Sequence, residues 1–348
     1  MKIWLRNIAF GLTSIFLLIV LSGRSYQAVE AKIDARRFPE QGKRVDIGGY
    51  KLNLNCSGGG NPTVVLESGF GILSPSWGPV QAGVAKFAHV CSYDRAGYGW
   101  SDSSPFPRTG AQIAKELHAL LQRAGAKPPY VLVGHSFGGL LVRIFSGEYA
   151  NEVAAVVLVE SSHPDLLKVL PPAIKKESDE AQIEREQATR FAGIRYWLGI
   201  TRFENRDFIG PSSVPYGERL ATYLMIEPKF VYAIANEGAN LEETSQEAAA
   251  SATFGDKPLI VLTAGKGVLG VPVQDKDWAE LQNIWINQLQ VQLMELSTRS
   301  KRIMIADSDH MIPLERPDAV VGAVRDVWSA VHSEGGPPQA ADEPDRRH

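Results

Sequence analysis

A serine flanked by glycines stands where an apolar strand changes into an apolar helix. The strand covers residues 130–133, the turn is Gly134-His135-Ser136-Phe137-Gly138-Gly139, and the helix restarts at residues 140–145. Glycine lets the backbone approach closely at such a bend, so Ser136 can stand out from the edge of a sheet. A serine hydroxyl becomes a nucleophile only when a base accepts its proton, and an acid must hold the tautomer of that base. The turn therefore predicts nucleophilic catalysis by Ser136, with a base and an acid supplied from elsewhere in the chain.

His310 is the predicted base among the seven histidines. It follows a late apolar strand, in Ala306-Asp307-Ser308-Asp309-His310, and precedes the last helix. This loop is expected at the same sheet edge as Ser136. The histidine of the serine turn, His135, is expected to point elsewhere. The others considered lie inside a strand, inside a helix or near the end of the chain: His89, His118, His332 and His348.

Glu160 is the preferred acid because it ends an apolar strand, 153–159, that follows the serine strand in the chain. In a simple parallel order this strand lies next to the serine strand, so a carboxylate at its end could reach His310. Asp275 and Asp277 are the alternative. They come late after the strand 258–263 and are expected to open a helix, where acidic residues favour the helix dipole.

Strands and helices alternate along the chain, which predicts a parallel sheet covered by helices on both faces. An antiparallel hairpin comes first, because Gly48-Gly49 joins two segments of alternating polarity. The predicted strands are 44–47, 50–56, 63–67, 89–93, 130–133, 153–159, 258–263 and 302–305, and the main helices are 77–87, 112–124, 140–149, 275–296 and 317–331.

The segment 163–254 interrupts this alternation. It has helical preferences, many charges around 175–190 and no clear buried strand. We predict a helical cap inserted between two parts of the core, 40–162 and 255–333; ordinary peripheral helices are the alternative. Its aromatic residues either line a pocket or form the core of the cap itself. Residues 334–348 are predicted to be a disordered tail.

The first 30 residues differ from the rest of the chain. Lys2 and Arg6 precede an apolar run over 8–23, which is intermediate in length between a signal-peptide core and a membrane span. Without a convincing cleavage site after it, an uncleaved membrane anchor is favoured over a cleaved signal peptide, which would give a secreted protein. Basic residues on both sides of the run leave its orientation open.

Composition excludes several classes of function. The 348 residues carry a formal net charge of −3 with no basic excess, so nucleic acid is not an expected partner. No phosphate-binding glycine loop follows a strand, and no histidine or cysteine cluster has metal-ligand spacing, so neither a cofactor nor a metal is expected. Two cysteines are too few for a disulfide framework, and each is first expected to be a small buried side chain.

Three motifs together resemble the serine α/β-hydrolase superfamily: Glu67-Ser68-Gly69, Tyr93-Asp94-Arg95-Ala96-Gly97 and Gly134-His135-Ser136-Phe137-Gly138-Gly139. The resemblance covers about residues 44–331 and is similar to a bacterial branch with an N-terminal hydrophobic segment. It implies an α/β-hydrolase fold, with a mostly parallel eight-stranded sheet, helices on both faces and a helical cap insertion.

The resemblance also implies roles for particular residues. The oxyanion hole would use the backbone N–H groups of Phe137 and Phe70. The family usually takes its acid from the loop after the strand 258–263, where this chain has no carboxylate until Asp275; some branches use the strand end at which Glu160 stands. Asp94 and Arg95 would be structural rather than catalytic, as a buried ion pair or a clasp of the loop.

The same resemblance makes the strands of Cys56 and Cys91 neighbours. It therefore allows a disulfide between the two residues if the domain lies outside the cytoplasm.

We expect a membrane-anchored, extracytoplasmic hydrolase on the periplasmic side, which cleaves a small ester or amide through an acyl-enzyme on Ser136. The same residues could instead serve peptide cleavage, carbon–carbon hydrolysis or perhydrolysis, or the fold could be a non-catalytic ligand-binding module. Dehalogenases and epoxide hydrolases of this fold use an aspartate nucleophile, so Ser136 argues against them. The sequence leaves the substrate and the oligomeric state open.

Overall fold

The central element is one sheet of eight strands, in the order β1-β2-β4-β3-β5-β6-β7-β8. The computed structural model describes residues 2–210, 213–266 and 276–335. The strands are β1 Lys43–Asp46, β2 Lys51–Ser57, β3 Thr63–Glu67, β4 Val90–Tyr93, β5 Tyr130–His135, β6 Val153–Val159, β7 Leu259–Ala264 and β8 Ser300–Ile305. β1 and β2 form the predicted antiparallel hairpin, β2 pairs antiparallel with β4, and the remaining pairs are parallel. The predicted mostly parallel, eight-stranded α/β-hydrolase sheet is confirmed.

Helices cover both faces of this sheet because its central strands are apolar on both sides. On one face pack α3 (Gly110–Ala124), α4 (Phe137–Glu148) and α11 (Leu241–Ala250). On the other face pack α2 (Gly78–Val84) and α15 (Pro317–Gly335).

Helices also fill the chain between β6 and β7, where the sequence predicts a cap over 163–254. They are α5 Leu166–Val169, α6 Pro172–Trp197, α7 Ile200–Glu204, α8 Arg206–Ile209, α9 Tyr216–Met225, α10 Pro228–Ala239 and α11. Buried side chains of α8, α9 and α10 form a cluster apart from the two sheet faces. Ala248 of α11, in contrast, packs into the sheet core, so this helix joins the insertion to the core.

The predicted helix 275–296 is divided in the structure. Its first nine described residues form α12 (Lys276–Ile284), a wider π-helical turn covers Trp285–Leu289, and α13 (Gln290–Gln292) and a 3₁₀ turn follow. The wider turn coincides with Trp285, whose indole N–H is bound by Glu160. The last helical segments are α14 (Ile312–Glu315) and α15.

The N-terminal helix α1 runs from Lys2 to Arg37, beyond the apolar run that the sequence singles out. Its apolar part is exposed, whereas Gln27 and Asp34 in its second half are buried. The guanidinium of Arg202, in α7, is hydrogen-bonded to both of these side chains. The polar residues after the apolar run therefore continue the same helix, and Arg202 binds two of their side chains.

The two cysteines are joined. Cys56 of β2 lies opposite Cys91 of β4, and their sulfur atoms form a disulfide bond. The pairing implied by the resemblance is thus the one in the structure, and the initial expectation of two separate buried thiols is wrong.

Candidate active site

Ser136 occupies a strained turn between β5 and α4. Its backbone has φ 53° and ψ −124°, a conformation that costs a non-glycine residue about 1–3 kcal/mol. The neighbouring glycines allow this turn because a Cβ atom at Gly134 would lie 2.6 Å from the oxygen of Gly138. At Gly139 a Cβ atom would lie 1.8 Å from the hydroxyl of Ser161. Close packing on both sides therefore fixes the serine at the carboxyl end of β5.

His310 lies on the loop between β8 and α14, and its Nε2 atom is 2.9 Å from Oγ of Ser136. The serine side chain is 9% exposed and the histidine 6%. These two residues are the predicted nucleophile and base, and the structure brings them together although 174 residues separate them. The distance and the shared burial allow the hydroxyl to donate its proton directly to the ring.

His135 has a contact that sequence reasoning missed. Its Nε2 atom is 2.8 Å from the backbone carbonyl oxygen of His310. A carbonyl oxygen only accepts hydrogen bonds, so Nε2 of His135 carries the proton. Burial lowers the pKa of His135 to about 4, which keeps its ring neutral near pH 7. His135 therefore fixes the loop that carries His310. The sequence signal for this role is its position next to Ser136.

The electrostatics of His310 follow from its burial. Desolvation, together with the neighbouring His135, lowers the pKa of His310 to about 3. In the neutral ring that accepts a proton from Ser136 at Nε2, the hydrogen is on Nδ1. Among the described residues Nδ1 has no hydrogen-bond partner. A buried donor left unpaired costs about 1–3 kcal/mol, so this atom is where an acidic side chain would act.

Glu160 lies at the end of β6, as the sequence predicts, but its carboxylate is held by other groups. It accepts hydrogen bonds of 2.6 Å each from the backbone N–H of Ala264 and from the indole N–H of Trp285. Burial raises the pKa of Glu160 to about 8, while these two hydrogen bonds act in the opposite direction. The ring of Trp285 lies edge-on to His310 at 6.4 Å, so one side chain bridges the predicted acid and the base.

Only one of the two alternative acids, Asp275 and Asp277, lies within the described residues. Asp275 lies outside the described residues. Asp277 is in the first turn of α12, a position that suits an acidic residue next to a helix N-terminus.

The two predicted oxyanion donors belong to segments that touch. Phe137 is the first residue of α4, so its backbone N–H has no acceptor within the helix. The rings of Phe70 and Phe137 meet edge-on at 6.0 Å. A Cβ atom at Gly69 would lie 3.1 Å from Cβ of Ser136, so the loop that carries Phe70 passes directly over the serine.

Arg95 clamps this loop. Its guanidinium donates to the backbone oxygens of Ser68 at 2.7 Å and Gly69 at 2.9 Å. It also pairs with the carboxylates of Glu67 and Glu237, each at 2.9 Å, and all three charged side chains are buried. Because a peptide C=O and the following N–H point in opposite directions, holding the oxygen of Gly69 also fixes the direction of the Phe70 N–H.

Glu237 was not found from the sequence. It lies in the cap helix α10, 142 residues after Arg95, within a helix whose pattern shows nothing unusual. It also accepts a 2.6 Å hydrogen bond from the hydroxyl of Tyr98. The cap is therefore tied through Arg95 to the loop beside the serine.

A cavity of about 320 Å³ opens in front of Ser136 and His310. Its wall is mostly apolar and comes from α5, α6 and the helical segment after β7, with Leu166, Leu170, Ile174, Trp278, Leu281 and Trp285 among the lining residues. The aromatic cap residue Phe230 instead packs into the core of the cap. The pocket wall is thus largely aliphatic, with two tryptophans from the chain after the cap.

Within the described residues one group could present ligand atoms to a metal: Cys56, His89 and Cys91, whose ligand atoms lie within 4.8 Å of one another. Both sulfur atoms belong to the disulfide. The disulfide bond removes the thiolates that would bind a metal.

Comparisons with known proteins agree with this fold. The model of the family described as "Alpha/beta hydrolase family" matches residues 64–323. YqjL from Bacillus subtilis (strain 168), described as an uncharacterized protein, is 26% identical over 280 residues, which is 80% of this chain and 88% of YqjL. Further relatives match over half or less of their own length.

Solved structures share the fold at low sequence identity. The epoxide hydrolase CorEH superposes with a TM-score of 0.64 at 18% identity, covering 83% of this chain and 98% of that protein. An esterase from Thermogutta terrifontis superposes with a TM-score of 0.58 at 21% identity, covering 84% and 99%.

Proposed function

The chain belongs to the alpha/beta hydrolase family, and from this premise we propose that it is a serine hydrolase that cleaves an ester or amide through an acyl-enzyme on Ser136. The single observation that carries the proposal is the 2.9 Å contact between Oγ of Ser136 and Nε2 of His310 at the wall of a cavity. A serine rather than an aspartate at the nucleophile position favours an acyl-enzyme over the alkyl-enzyme chemistry of epoxide hydrolases and dehalogenases.

In the proposed reaction His310 accepts the proton of Ser136 while the oxygen of Ser136 bonds to the substrate carbonyl carbon. The resulting oxyanion is bound by the backbone N–H groups of Phe70 and Phe137. His310 then gives its proton to the departing alcohol or amine as the tetrahedral intermediate collapses to the acyl-enzyme. In the second half His310 accepts a proton from water, and collapse of the new intermediate returns that proton to Ser136 and releases the acid.

Glu160 is the proposed acid that stabilises the positively charged form of His310. Within residues 2–210, 213–266 and 276–335, each of its carboxylate oxygens accepts one hydrogen bond, and an ionised carboxylate oxygen can accept two. Capacity therefore remains for the Nδ1 hydrogen of His310. Asp275 and Asp277 are the competing candidates.

The substrate is proposed to be small and largely apolar next to its carbonyl group. The size of the cavity, about 320 Å³, falls at the lower end of the range for small-molecule sites. Its mostly aliphatic wall favours an alkyl or aryl acyl group over an anionic one, because a negative charge there would lose its hydration and would face the carboxylate of Glu177.

We also propose that α1 anchors the protein in a membrane, with the hydrolase domain on the extracytoplasmic side. This helix is long and apolar enough to span a bilayer, and the apolar part is not buried by the rest of the protein. An uncleaved anchor is favoured because the same helix continues into a half that packs against the cap. The disulfide between Cys56 and Cys91 favours an oxidising compartment.

The test compares Ser136→Ala with Ser146→Ala in the full chain, using short aryl esters and a fluorophosphonate probe that labels activated serines. Ser146 lies ten residues on in α4, where its hydroxyl binds the backbone oxygen of Val142. We expect Ser136→Ala to lose labelling and at least about 10³-fold in kcat, because removing a triad nucleophile costs this much or more. Ser146→Ala should keep both the probe labelling and the kcat of the wild type. Labelling that survives in Ser136→Ala would refute the acyl-enzyme, and a folded, ligand-binding wild type without labelling would indicate a binding module.

A further inference from the structure

Five large apolar side chains are exposed where the cap helices α6 and α7 meet. Phe191, Ile194, Trp197, Ile200 and Phe203 are between 38% and 62% exposed, and we call them the cap apolar surface. The first three follow each other at intervals of three residues on α6, so they are neighbours on that helix. Exposed apolar side chains grouped in this way mark a contact with a membrane or a partner.

This surface adjoins α1 at the end of its apolar part. A Cβ atom at Gly23 would lie 2.3 Å from the backbone oxygen of Leu198, so the helices are in direct contact there. The guanidinium of Arg24 lies 4.5 Å over the ring of Trp197. One turn further, the ring of Tyr26 meets the ring of Phe203 at 6.4 Å.

The length of α1 places this junction at the edge of a bilayer. A hydrocarbon core of about 30 Å requires about 20 helical residues at a rise of about 1.5 Å each. A span of 20 residues that ends with the apolar run, 4–23, satisfies this length, includes Arg6 near its start and is followed directly by Arg24. Arg24 is therefore at the depth of the lipid headgroups, and so is the ring of Trp197 beneath it.

We propose that the cap apolar surface docks onto the same bilayer that α1 spans. The proposed partner of this surface is the lipid headgroup interface, because the surface adjoins α1 at the depth where that helix leaves the hydrocarbon core. Tryptophan and phenylalanine beside arginine are side chains suited to this zone. Arg206, stacked at 4.2 Å on Phe203, repeats the arrangement of Arg24 on Trp197. The inference rests on the proposed anchoring by α1.

Docking would hold the catalytic cavity in a fixed position relative to the membrane. Ile174, near the start of α6, lines the cavity, and Trp197 ends the same helix 23 residues later. At about 1.5 Å per residue the two ends are about 35 Å apart. One rigid helix thus connects the bilayer contact with the wall of the candidate active site.

The test uses the full chain reconstituted in phosphatidylcholine vesicles, with a single cysteine introduced and labelled with the environment-sensitive fluorophore NBD. Three variants are compared: Ile194→Cys on the cap apolar surface, Leu12→Cys near the middle of the proposed spanning part of α1, and Met304→Cys on the edge strand β8. Ile194 and Met304 are similarly exposed, at 50% and 44%, which makes them a matched pair. The two native cysteines are joined in the disulfide and do not compete for the label.

Spin-labelled lipids then report the depth of each position. An apolar face of an interfacial helix is buried about 5–10 Å below the headgroups, so position 194 should be quenched more by a spin label near the headgroup than by one near the end of the acyl chain. Position 12 should show the reverse order, and position 304 should be quenched by neither.

If positions 194 and 304 respond alike while position 12 is quenched, anchoring stands and docking is refuted. If position 12 is not quenched, the anchoring proposal itself fails. If position 194 is shielded from aqueous iodide without any lipid quenching, it is covered by protein, and a second copy or a partner replaces the bilayer as the occupant.

Discussion

Glu160→Gln tests the assignment of the acid through the pH dependence of the rate. Burial raises the pKa of Glu160 from 4.5 to about 8. If the rate follows its ionised form, about one tenth of the enzyme is competent at pH 7 and about nine tenths at pH 9. Burial lowers the pKa of His310 to about 3, so its ring stays neutral throughout this range. We therefore expect kcat of the wild type to rise about tenfold from pH 7 to pH 9, because a carboxyl group with a raised pKa loses its proton only in this range of pH.

The variant should remove both the rise and most of the rate. Exchange of a triad carboxylate for its amide lowers kcat by about 10⁴-fold, so at pH 9 we expect a loss of about 10³- to 10⁴-fold and a flat profile between pH 7 and pH 9. The amide nitrogen will also face one of the two donors, Ala264 or Trp285, and a broken buried hydrogen bond costs about 1–3 kcal/mol. If Glu160 had only a structural role, Glu160→Gln would lower the stability of the protein but keep the rise of kcat between pH 7 and pH 9.

The assay is hydrolysis of a short aryl ester by the full chain in detergent, with Ser136→Ala supplying the uncatalysed background at each pH. Thermal unfolding of each variant separates loss of fold from loss of rate. Asp275→Asn and Asp277→Asn test the two competing candidates, and both should keep the wild-type profile. A Glu160→Gln enzyme that keeps the rise, or loses less than tenfold while Asp275→Asn loses three orders of magnitude, would refute the assignment.

Two further predictions concern groups around the site. Arg95→Lys should lower kcat by about 10- to 100-fold with little change in KM, because lysine cannot hold the carbonyl oxygens of both Ser68 and Gly69. The effect falls on kcat since an oxyanion donor acts mainly in the transition state. Steady-state kinetics measure both constants, and the control Arg108→Lys, at another buried ion pair, should leave kcat unchanged. An equal loss in both would show a general effect on folding. Removing the disulfide by Cys91→Ser should lower the free energy of unfolding by about 4 kcal/mol, as expected for a closed loop of 35 residues. Urea denaturation measures this change. An unchanged urea midpoint would show that the bond does not restrain the unfolded chain.

Local patterns were sufficient for the fold and for part of the site. Uninterrupted apolar strands separated by amphipathic helices specify a parallel sheet, because such strands must be buried on both faces. The order of the elements then places the ends of β5, β6 and β8 at one edge, which is why Ser136, Glu160 and His310 could be named in advance. The structure brings the first and last of these together, whereas the carboxylate of Glu160 binds the backbone N–H of Ala264 and the indole of Trp285, whose ring faces His310.

Contacts between distant parts of the chain needed the tertiary structure. Nothing in the pattern around His135 shows that its ring would bind the carbonyl of His310, since backbone oxygens carry no sequence signal. Glu237 looks like any acidic residue on a helix, and only the packing of α10 on the core makes it the partner of Arg95.

The N-terminal helix shows the same division. Its apolar run over 8–23 is evident from composition, because these 16 consecutive residues carry no charge and are mostly apolar. That its polar half binds Arg202 and places Trp197 beside Arg24 depends on how helices separated by about 170 residues pack. The sequence alone determined which segments form strands, helices and the apolar N-terminal run, since these depend on neighbouring residues. The tertiary structure decided which side chains meet across them, since that depends on packing of the whole chain.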